Sequence, residues 1–307
     1  MRRLVIACAY LCVFSCLRSP QAVCEPLDMT AMAFDDEYVN CIKEMEANIT
    51  SAGLLEVEKS KDPNFGGAWD KAASEWEERK KRKLVPPLPV GFQDNHAIAI
   101  LIYTDKNFPS SDASLPSRFN EAVRTSVLSR EGYMSNFTFK ALHFYLTTGL
   151  QLFKTSCRQV YRGIRRAQFE PSAGSEKGIR FGQFTSSSVS PETAEHFGND
   201  SYLNITTCYG VDIEKFSYDP SEKEVLIPPN EIFYVSSFTE EGHRFVLKST
   251  KSRCHFYNCA YLGGEKSPNC IFSSASSAAL LISSPRYAQL VREFVISAAV
   301  LGLFVNL

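Results

Sequence analysis

The sequence predicts an α+β fold, with a helical first half followed by a half built of short strands. From about residue 30 to residue 155, apolar side chains recur at helical spacing. From residue 157 onward, short runs of β-branched and aromatic residues are separated by polar or proline-containing turns. Helices precede strands without the βαβ alternation of a doubly wound sheet, and the common dinucleotide fingerprints are absent from the sequence. A single domain is the simplest architecture.

Three segments of the first half have helical patterns. Residues 69–83 are charged and rich in helix formers, and residues 119–127 and 142–153 carry apolar side chains at helical spacing. The basic run 79–83 is also the pattern of a heparin or nuclear-import patch, but cations are favoured at a helix C-terminus, so we prefer a solvated helix end. Residues 98–103 instead look like a strand, and we interpret the preceding His96 as structural.

The second half contains a series of short strand-like segments. They are residues 159–162, 178–184, 202–208, 222–227, 232–235 and 244–247.

Both ends of the chain have the patterns of processing signals. A basic start, Met1 to Arg3, precedes the apolar run 4–17 and small residues near Ala22. This predicts a cleaved signal peptide over residues 1–23; a retained signal anchor is the alternative, but the run is shorter than the ~20 residues of a membrane span.

The C-terminal residues end in a second apolar run. Residues 294–307 follow a polar spacer, 285–293, and a stretch of small residues, 273–284. This order predicts a GPI-attachment signal over residues 273–307, with a buried or amphipathic C-terminal helix as the alternative. We therefore expect residues 24–272 to form one domain, secreted or held by a lipid on the extracellular face of the plasma membrane.

Charge and glycosylation patterns agree with an extracellular domain. The net charge is −1, so no charge excess favours nucleic-acid binding. Asn-x-Ser/Thr sequons occur at four positions, namely Asn48, Asn136, Asn199 and Asn204.

The cysteines point to disulfides. Of ten, three lie in the apolar leader and Cys24 lies at the expected cleavage site, which leaves six: Cys41, Cys157, Cys208, Cys254, Cys259 and Cys270. An even number in an oxidising compartment favours disulfides, with about fifteen possible pairings. Zinc on Cys254, His255 and Cys259 is a weaker interpretation, because no second ligand pair has zinc-finger spacing.

Three short segments carry residues suited to chemistry. Arg162 ends a predicted strand before Gly163, which would let a ligand approach the backbone. Residues 180–188 run from an aromatic strand into serines, and strand periodicity places Glu222 and Glu224 on one face. Each pattern alone is common in structural roles, so their order along the chain is what matters.

In that order, the segments resemble the Arg-Ser-Glu class of ADP-ribosyltransferases, most closely the arginine-specific, GPI-anchored ecto-mono-ADP-ribosyltransferases of vertebrates. The motifs are YRG, RFGQFTSSS, AEHFG and EKEVLIPPNEIF, and a looser resemblance extends over residues 34–259. The family implies a helical N-terminal part packed on a mixed or antiparallel, β-sandwich-like NAD-binding core. It implies transfer of a single ADP-ribose from NAD to arginine side chains of extracellular or cell-surface proteins, with release of nicotinamide and no metal.

The resemblance also gives the site residues their roles. Arg162 would hold NAD phosphate oxygens through charge-assisted hydrogen bonds, while Gly163 and Phe184 frame the nicotinamide slot. Ser186 would orient the nicotinamide ribose and the catalytic carboxylate of Glu224. That carboxylate would bond the ribose 2′-hydroxyl and stabilise the oxocarbenium-like state in which nicotinamide departs.

The residues around Glu222 are expected to handle the acceptor. Glu222 would position the guanidinium and help to remove its proton, because free guanidinium stays protonated to about pH 12. Residues 215–221, the acceptor loop, would contact the target protein through Phe216 and Tyr218. Lys223 should point to the opposite face of the strand, although a cation nearby would lower a carboxylate pKa or bias acceptor choice.

The family resemblance further implies the disulfides Cys41–Cys259 and Cys157–Cys208. Cys254 and Cys270 are then left either to pair with each other or to stay apart, with Cys270 near the anchor.

Two other functions are compatible with this scaffold. The protein could hydrolyse NAD with water as the acceptor, or it could be a catalytically weak cell-surface binding or antigen protein. Glu222 favours transfer over hydrolysis, and the intact set of Arg162, Ser186, Glu222 and Glu224 argues against a decayed site.

Overall fold

A computed structural model describes residues 23–106, 113–125, 129–171 and 178–273. The predicted signal peptide and GPI signal lie outside the described residues, apart from Val23 and Ser273. Contacts divide the chain into a unit Met1–Ile271, which carries the fold, and a unit Phe272–Leu307. Within the described ranges, no helix combines the length and apolar character that a bilayer crossing requires.

Helices dominate the chain before the main sheet, as predicted. They are α1 (Ile42–Thr50), α2 (Leu54–Lys61), α3 (Pro63–Lys81), α4 (Asp94–Thr104), α5 (Leu115–Thr125), α6 (Arg130–Asn136) and α7 (Lys140–Gln151). The helical patterns in residues 69–83, 119–127 and 142–153 correspond to α3, α5 and α7. Their apolar faces share one aromatic-rich core around Trp76, Phe119 and Tyr145.

The strand predicted at residues 98–103 is wrong, because these residues lie inside α4. Every residue of α4 from His96 to Thr104 is buried, so the helix is apolar all round and shows no helical period. His96 is structural, as expected: its Nδ1 accepts a hydrogen bond from the Gln93 backbone N–H at 3.0 Å and so caps the helix.

The second half forms an eight-stranded mixed sheet, which confirms the α+β class. Its strands are β2 (Arg158–Ile164), β4 (Thr185–Ser188), β5 (Ser201–Thr207), β6 (Val211–Asp212), β7 (Glu224–Ile227), β8 (Glu231–Thr239), β9 (Arg244–His255) and β10 (Ile271–Phe272). The order is β10-β9-β5-β2-β4-β7-β6, with β8 pairing with β9. β1 (Val23–Leu27) and β3 (Ala167–Pro171) form a separate parallel pair, and α8 (Pro191–Phe197) follows β4.

The strand predicted at residues 178–184 is also wrong, since it is the following serines that form β4. Within residues 178–184 only Ile179 makes a β-bridge, to Phe233. In β4, Ser187 Oγ donates to the Val225 carbonyl and Ser188 Oγ donates to the Glu222 carbonyl, each at 2.7 Å. These hydroxyls bond to the neighbouring segment, so the serines are satisfied inside the sheet.

Strand β7 separates two apolar cores. Leu226 packs into the helical core, whereas Val225 and Ile227 pack into a second core within the sheet. Because both faces of β7 are covered, Glu224 at its start is only 3% exposed.

Disulfides occupy all six cysteines expected in the domain. The pairs are Cys41–Cys259, Cys157–Cys208 and Cys254–Cys270. The first two are the pairs implied by the family resemblance, and the third answers the question left open above. The zinc interpretation of Cys254, His255 and Cys259 is wrong, because both cysteines are bonded elsewhere.

A buried polar cluster, here called the clasp (Asp35, Asp36 and Arg180), joins the start of the domain to its end. Arg180 Nη1 donates to Asp35 Oδ2 at 2.6 Å, with both side chains fully buried. The two aspartates also accept backbone N–H groups from the segment after β9, those of Phe256, Tyr257, Cys259 and Ala260. Burial raises the pKa of Asp36 to about 6.

Candidate active site

Arg162, Ser186, Glu222 and Glu224 line a single cleft of 460 Å³ at one end of β2, β4 and β7. Segments far apart in the chain therefore converge, and the helical half contributes Tyr103, Lys106 and Asn120 to the lining.

Arg162 lies on β2 and is half-buried. Its Nη1 donates to the Ser186 carbonyl at 2.6 Å, which fixes the guanidinium against β4. Burial lowers the pKa of Arg162, and the charge of Glu224 opposes that effect. An arginine in this setting stays cationic at neutral pH, and its remaining N–H groups are available to an anion in the cleft.

Glu224 is the buried carboxylate of the cleft. Its Oε2 has no hydrogen-bond partner among the described residues. Burial raises the pKa of Glu224, while the Ser186 hydroxyl and then the Lys106 ammonium lower it. A desolvated carboxylate with an unpartnered oxygen is prepared to accept a hydrogen bond from a ligand hydroxyl.

The prediction that Glu222 and Glu224 share a strand face is wrong in its geometry. Glu222 ends a 3-10 turn, Pro220–Glu222, and the strand begins only at Glu224, because Lys223 adopts a left-handed φ of 47°. Both carboxylates nevertheless line the cleft. Lys223 is exposed, and the lysine that lowers the Glu224 pKa is Lys106.

Lys106 binds Glu222 directly. Its Nζ donates to Oε1 at 2.7 Å and to Oε2 at 2.5 Å, and it lies 4.1 Å from the centroid of the Phe197 ring. The carboxylate of Glu222 therefore already holds a cation over an aromatic face.

Of the two residues expected to frame the nicotinamide slot, Gly163 lines the cleft and Phe184 does not. The Phe184 side chain is 1% exposed and packs in the helical core under the cleft, so that it does not line it. Gly163 does line the cleft, but an added Cβ would lie 2.1 Å from the Ala194 carbonyl and 2.3 Å from the Gly198 carbonyl. The close packing of α8 against β2 is therefore enough to require a glycine at this position.

The acceptor loop is held from the helical half. Arg79 of α3 donates to the carbonyls of Phe216 at 3.2 Å and Ser217 at 3.1 Å, so this member of the basic run is not a solvated helix end. Phe216 is buried against Trp76 and is not available to a target protein, contrary to expectation. Tyr218 remains half-buried.

Sequence reasoning missed several residues of the cleft. Tyr103 OH and Asn120 Nδ2 both donate to the Phe184 carbonyl, at 2.8 and 3.0 Å, and Asn120 Oδ1 is buried without a partner among the described residues. Tyr103 lies at the end of an apolar run and Asn120 lies in an ordinary amphipathic helix, so neither has a distinguishing sequence pattern. Phe197 also lines the cleft, and its place in the AEHFG motif is a sequence signal that could have identified it.

Comparisons with known proteins agree with this geometry. The family model "NAD:arginine ADP-ribosyltransferase" matches residues 27–255. Ecto-ADP-ribosyltransferase 5 of Mus musculus is 42% identical over 81% of this chain and 80% of its own length. The GPI-linked NAD(P)(+)–arginine ADP-ribosyltransferase 1 of Mus musculus is 38% identical over 78% of this chain and 74% of its own.

Solved structures give the same result. The crystal structure of the eukaryotic mono-ADP-ribosyltransferase ART2.2 superposes with a TM-score of 0.65 at 34% identity, covering 77% of this chain and 99% of that one. A variant of ART2.2 crystallised in complex with NAD superposes with the same TM-score. By sequence and by fold, the chain belongs to the NAD:arginine ADP-ribosyltransferase family.

Proposed function

We propose that this protein transfers a single ADP-ribose from NAD to arginine side chains of extracellular or cell-surface proteins and releases nicotinamide. The observation that carries the proposal is the convergence of Arg162, Ser186, Glu222 and Glu224 on one cleft. The relatives named as ecto- and GPI-linked arginine ADP-ribosyltransferases, and the ART2.2 complex with NAD, support the same activity.

In this proposal, Arg162 binds the phosphates of NAD. Its guanidinium is cationic, half-buried and anchored through one N–H group, so its other N–H groups can bind pyrophosphate oxygens. Gly163 contributes backbone to the same wall of the cleft. NAD is a co-substrate here, since its ADP-ribose leaves on the acceptor.

Glu224 acts at the bond that breaks. The C1′–N bond to nicotinamide breaks, the electron pair leaves with neutral nicotinamide, and positive charge develops on the ribose ring. The unpartnered Oε2 of Glu224 accepts a hydrogen bond from the 2′-hydroxyl, so the buried negative charge stabilises the ring at short range. Ser186 holds the carboxylate and supports its ionised form.

Glu222 acts on the acceptor. A guanidinium nitrogen attacks C1′, forms the new C–N bond and transfers one proton to the Glu222 carboxylate. The presence of an ammonium on both oxygens of Glu222 is chemical support for a cation-binding role of this residue.

We also propose that the enzyme works at the cell surface. Residues 1–23 would be removed and residues 273–307 exchanged for a lipid, and the three disulfides suit an oxidising compartment. Asn136 and Asn199 are exposed sequons, whereas Asn204 Oδ1 accepts a hydrogen bond from Gln159. Glycans are therefore expected first at Asn136 and Asn199, and release of the enzyme from cells by a phosphatidylinositol-specific phospholipase tests the anchor.

The test of activity is incubation with NAD labelled in its adenosine part and with agmatine, a small guanidine acceptor. Labelled agmatine supports transfer, free ADP-ribose alone supports hydrolysis, and no turnover despite NAD binding supports a binding protein. Glu222→Gln should suppress agmatine labelling and spare NAD hydrolysis. Glu214→Gln, which changes an acidic residue outside the cleft lining, is the matched control and should leave both reactions unchanged.

A further inference from the structure

The acceptor side of the cleft is occupied by a side chain of the protein itself. The Lys106 ammonium contacts both carboxylate oxygens of Glu222 and lies over the Phe197 ring, 4.1 Å from its centroid. The Glu222 side chain is 17% exposed, whereas that of Lys106 is 45% exposed. One partner of the pair is thus held by the cleft, and the other reaches in from solvent.

The contacts of Lys106 are those that a guanidinium would make. Two carboxylate oxygens match the paired N–H groups of an arginine, and an aromatic face attracts the same cation. A guanidinium that takes the same position on both oxygens and on this ring face must displace the Lys106 ammonium. Guanidinium has the advantage on a carboxylate, because its planar fork makes two parallel hydrogen bonds where an ammonium acts as a point charge.

We propose that Lys106 is a built-in competitor of the acceptor. Its ammonium occupies the binding position of the acceptor guanidinium on Glu222 and Phe197, and an incoming arginine must displace it. The inference rests on the proposed function, and it adds a residue that sets the apparent affinity for the acceptor. Displacement needs no change of fold, since the half-exposed lysine chain can turn outward into solvent.

A purely supporting role for Lys106 makes the opposite prediction. If the lysine only holds Glu222 in position, its loss would loosen the carboxylate and weaken acceptor binding. If the lysine competes, its loss would free the guanidinium-binding position and strengthen acceptor binding. The direction of the change in KM for the acceptor separates the two roles.

The experiment uses Lys106→Met, which keeps an unbranched chain near Phe197 and removes the charge. Agmatine labelling is measured at saturating NAD near pH 8, because alkaline pH favours the ionised form of Glu224. We expect the KM for agmatine to fall by about two- to five-fold, the range for an ion pair of this exposure, with kcat little changed. Lys106→Arg should keep the KM at or above the wild-type value.

Lys223→Met is the matched control. This variant also replaces a lysine by methionine, at the position between Glu222 and Glu224 in the sequence. Lys223 is exposed and is not among the charges that act on Glu224, so KM and kcat should not change. Loss of the Lys106 cation should also move the acid limb of NAD hydrolysis to higher pH. A higher KM for agmatine in Lys106→Met overturns the inference, whereas a wild-type enzyme that never labels agmatine overturns the proposed function itself.

Discussion

The clasp and the cleft are both buried acidic regions, yet they treat their carboxylates differently. In the clasp, every carboxylate oxygen of Asp35 and Asp36 accepts at least one hydrogen bond, from Arg180 or from backbone N–H groups. In the cleft, Glu224 Oε2 and Asn120 Oδ1 are buried and have no partner among the described residues.

This difference separates a structural role from a functional one. A buried polar atom without a partner costs free energy, and one that lines a ligand cleft can gain the missing bond from the ligand. The aspartates of the clasp already have their partners and have nothing left to bind. Changes in the clasp should therefore affect stability, and changes in the cleft should affect turnover.

Arg180→Met should have the largest effect, because it leaves the fully buried Asp35 without its counter-charge. We expect a loss of about 3–5 kcal/mol in the free energy of unfolding, measured by urea denaturation. The fraction that stays folded should keep wild-type kcat. A stable Arg180→Met protein with impaired turnover would break the comparison.

Glu224→Gln should have the reverse signature. Removing the charge should lower kcat for both transfer and hydrolysis by about 10²- to 10³-fold, since charge stabilisation at the ribose is lost. The free energy of unfolding should be unchanged or higher, because a desolvated charge is removed from the native state. Turnover of labelled NAD measures the loss of kcat, and urea denaturation of the same preparation measures the free energy of unfolding. Unchanged turnover would contradict the assignment of Glu224 as the catalytic carboxylate.

Gly163→Ala lies between the two classes. A Cβ at this position would meet the carbonyls of Ala194 and Gly198, so α8 must shift. We expect a loss of about 1–3 kcal/mol in stability together with reduced turnover, because Gly163 also lines the cleft. If thermal unfolding of the variant matched wild type, the packing explanation for this glycine would be wrong.

Glu58 extends the comparison to the helical half, where the expected effect is on the pH dependence of stability. It is 4% exposed and accepts the backbone N–H groups of Lys140 and Ala141, each at 2.9 Å. Burial raises its pKa from the ordinary 4.5 to about 7, so the native state binds the extra proton between these values. Its contribution to stability is full at low pH and declines by about 1.4 kcal/mol per pH unit as pH rises through that window.

Glu58→Gln isolates this contribution. The neutral amide keeps an acceptor oxygen, so the variant should lose less stability than wild type between pH 4.5 and pH 7. Urea denaturation of both proteins across that range measures the difference, and equal pH slopes would contradict the raised pKa. Turnover at fixed pH should be the same in both.

The fold class could be predicted from the sequence, but two of its elements could not. Periodicity reports a helix only when one face is polar, and α4 is buried from His96 to Thr104. Serines favour loops on average, and β4 forms by antiparallel pairing with β7, where the Ser187 hydroxyl also donates to the Val225 carbonyl. That neighbour is chain-distant and cannot be seen locally.

The site was predicted in part, for similar reasons. Motif order brought Arg162, Ser186 and Glu224 together because the family resemblance carries tertiary information. Strand periodicity failed at Glu222, where one left-handed residue, Lys223, interrupts the strand. Nothing near Lys106 in the sequence indicates its ion pair with a residue 116 positions away.

The grip of Arg79 on the acceptor loop has a consequence for engineering. The conformation of the loop depends on the guanidinium of Arg79, which lies 137 residues before Phe216 in the chain and donates to its carbonyl. It also depends on the ring contact between Phe216 and Trp76. Grafting residues 215–221 alone into another family member would transfer the loop sequence without the α3 contacts that hold its conformation. Exchanges of acceptor preference should therefore move the C-terminal turn of α3 together with the loop.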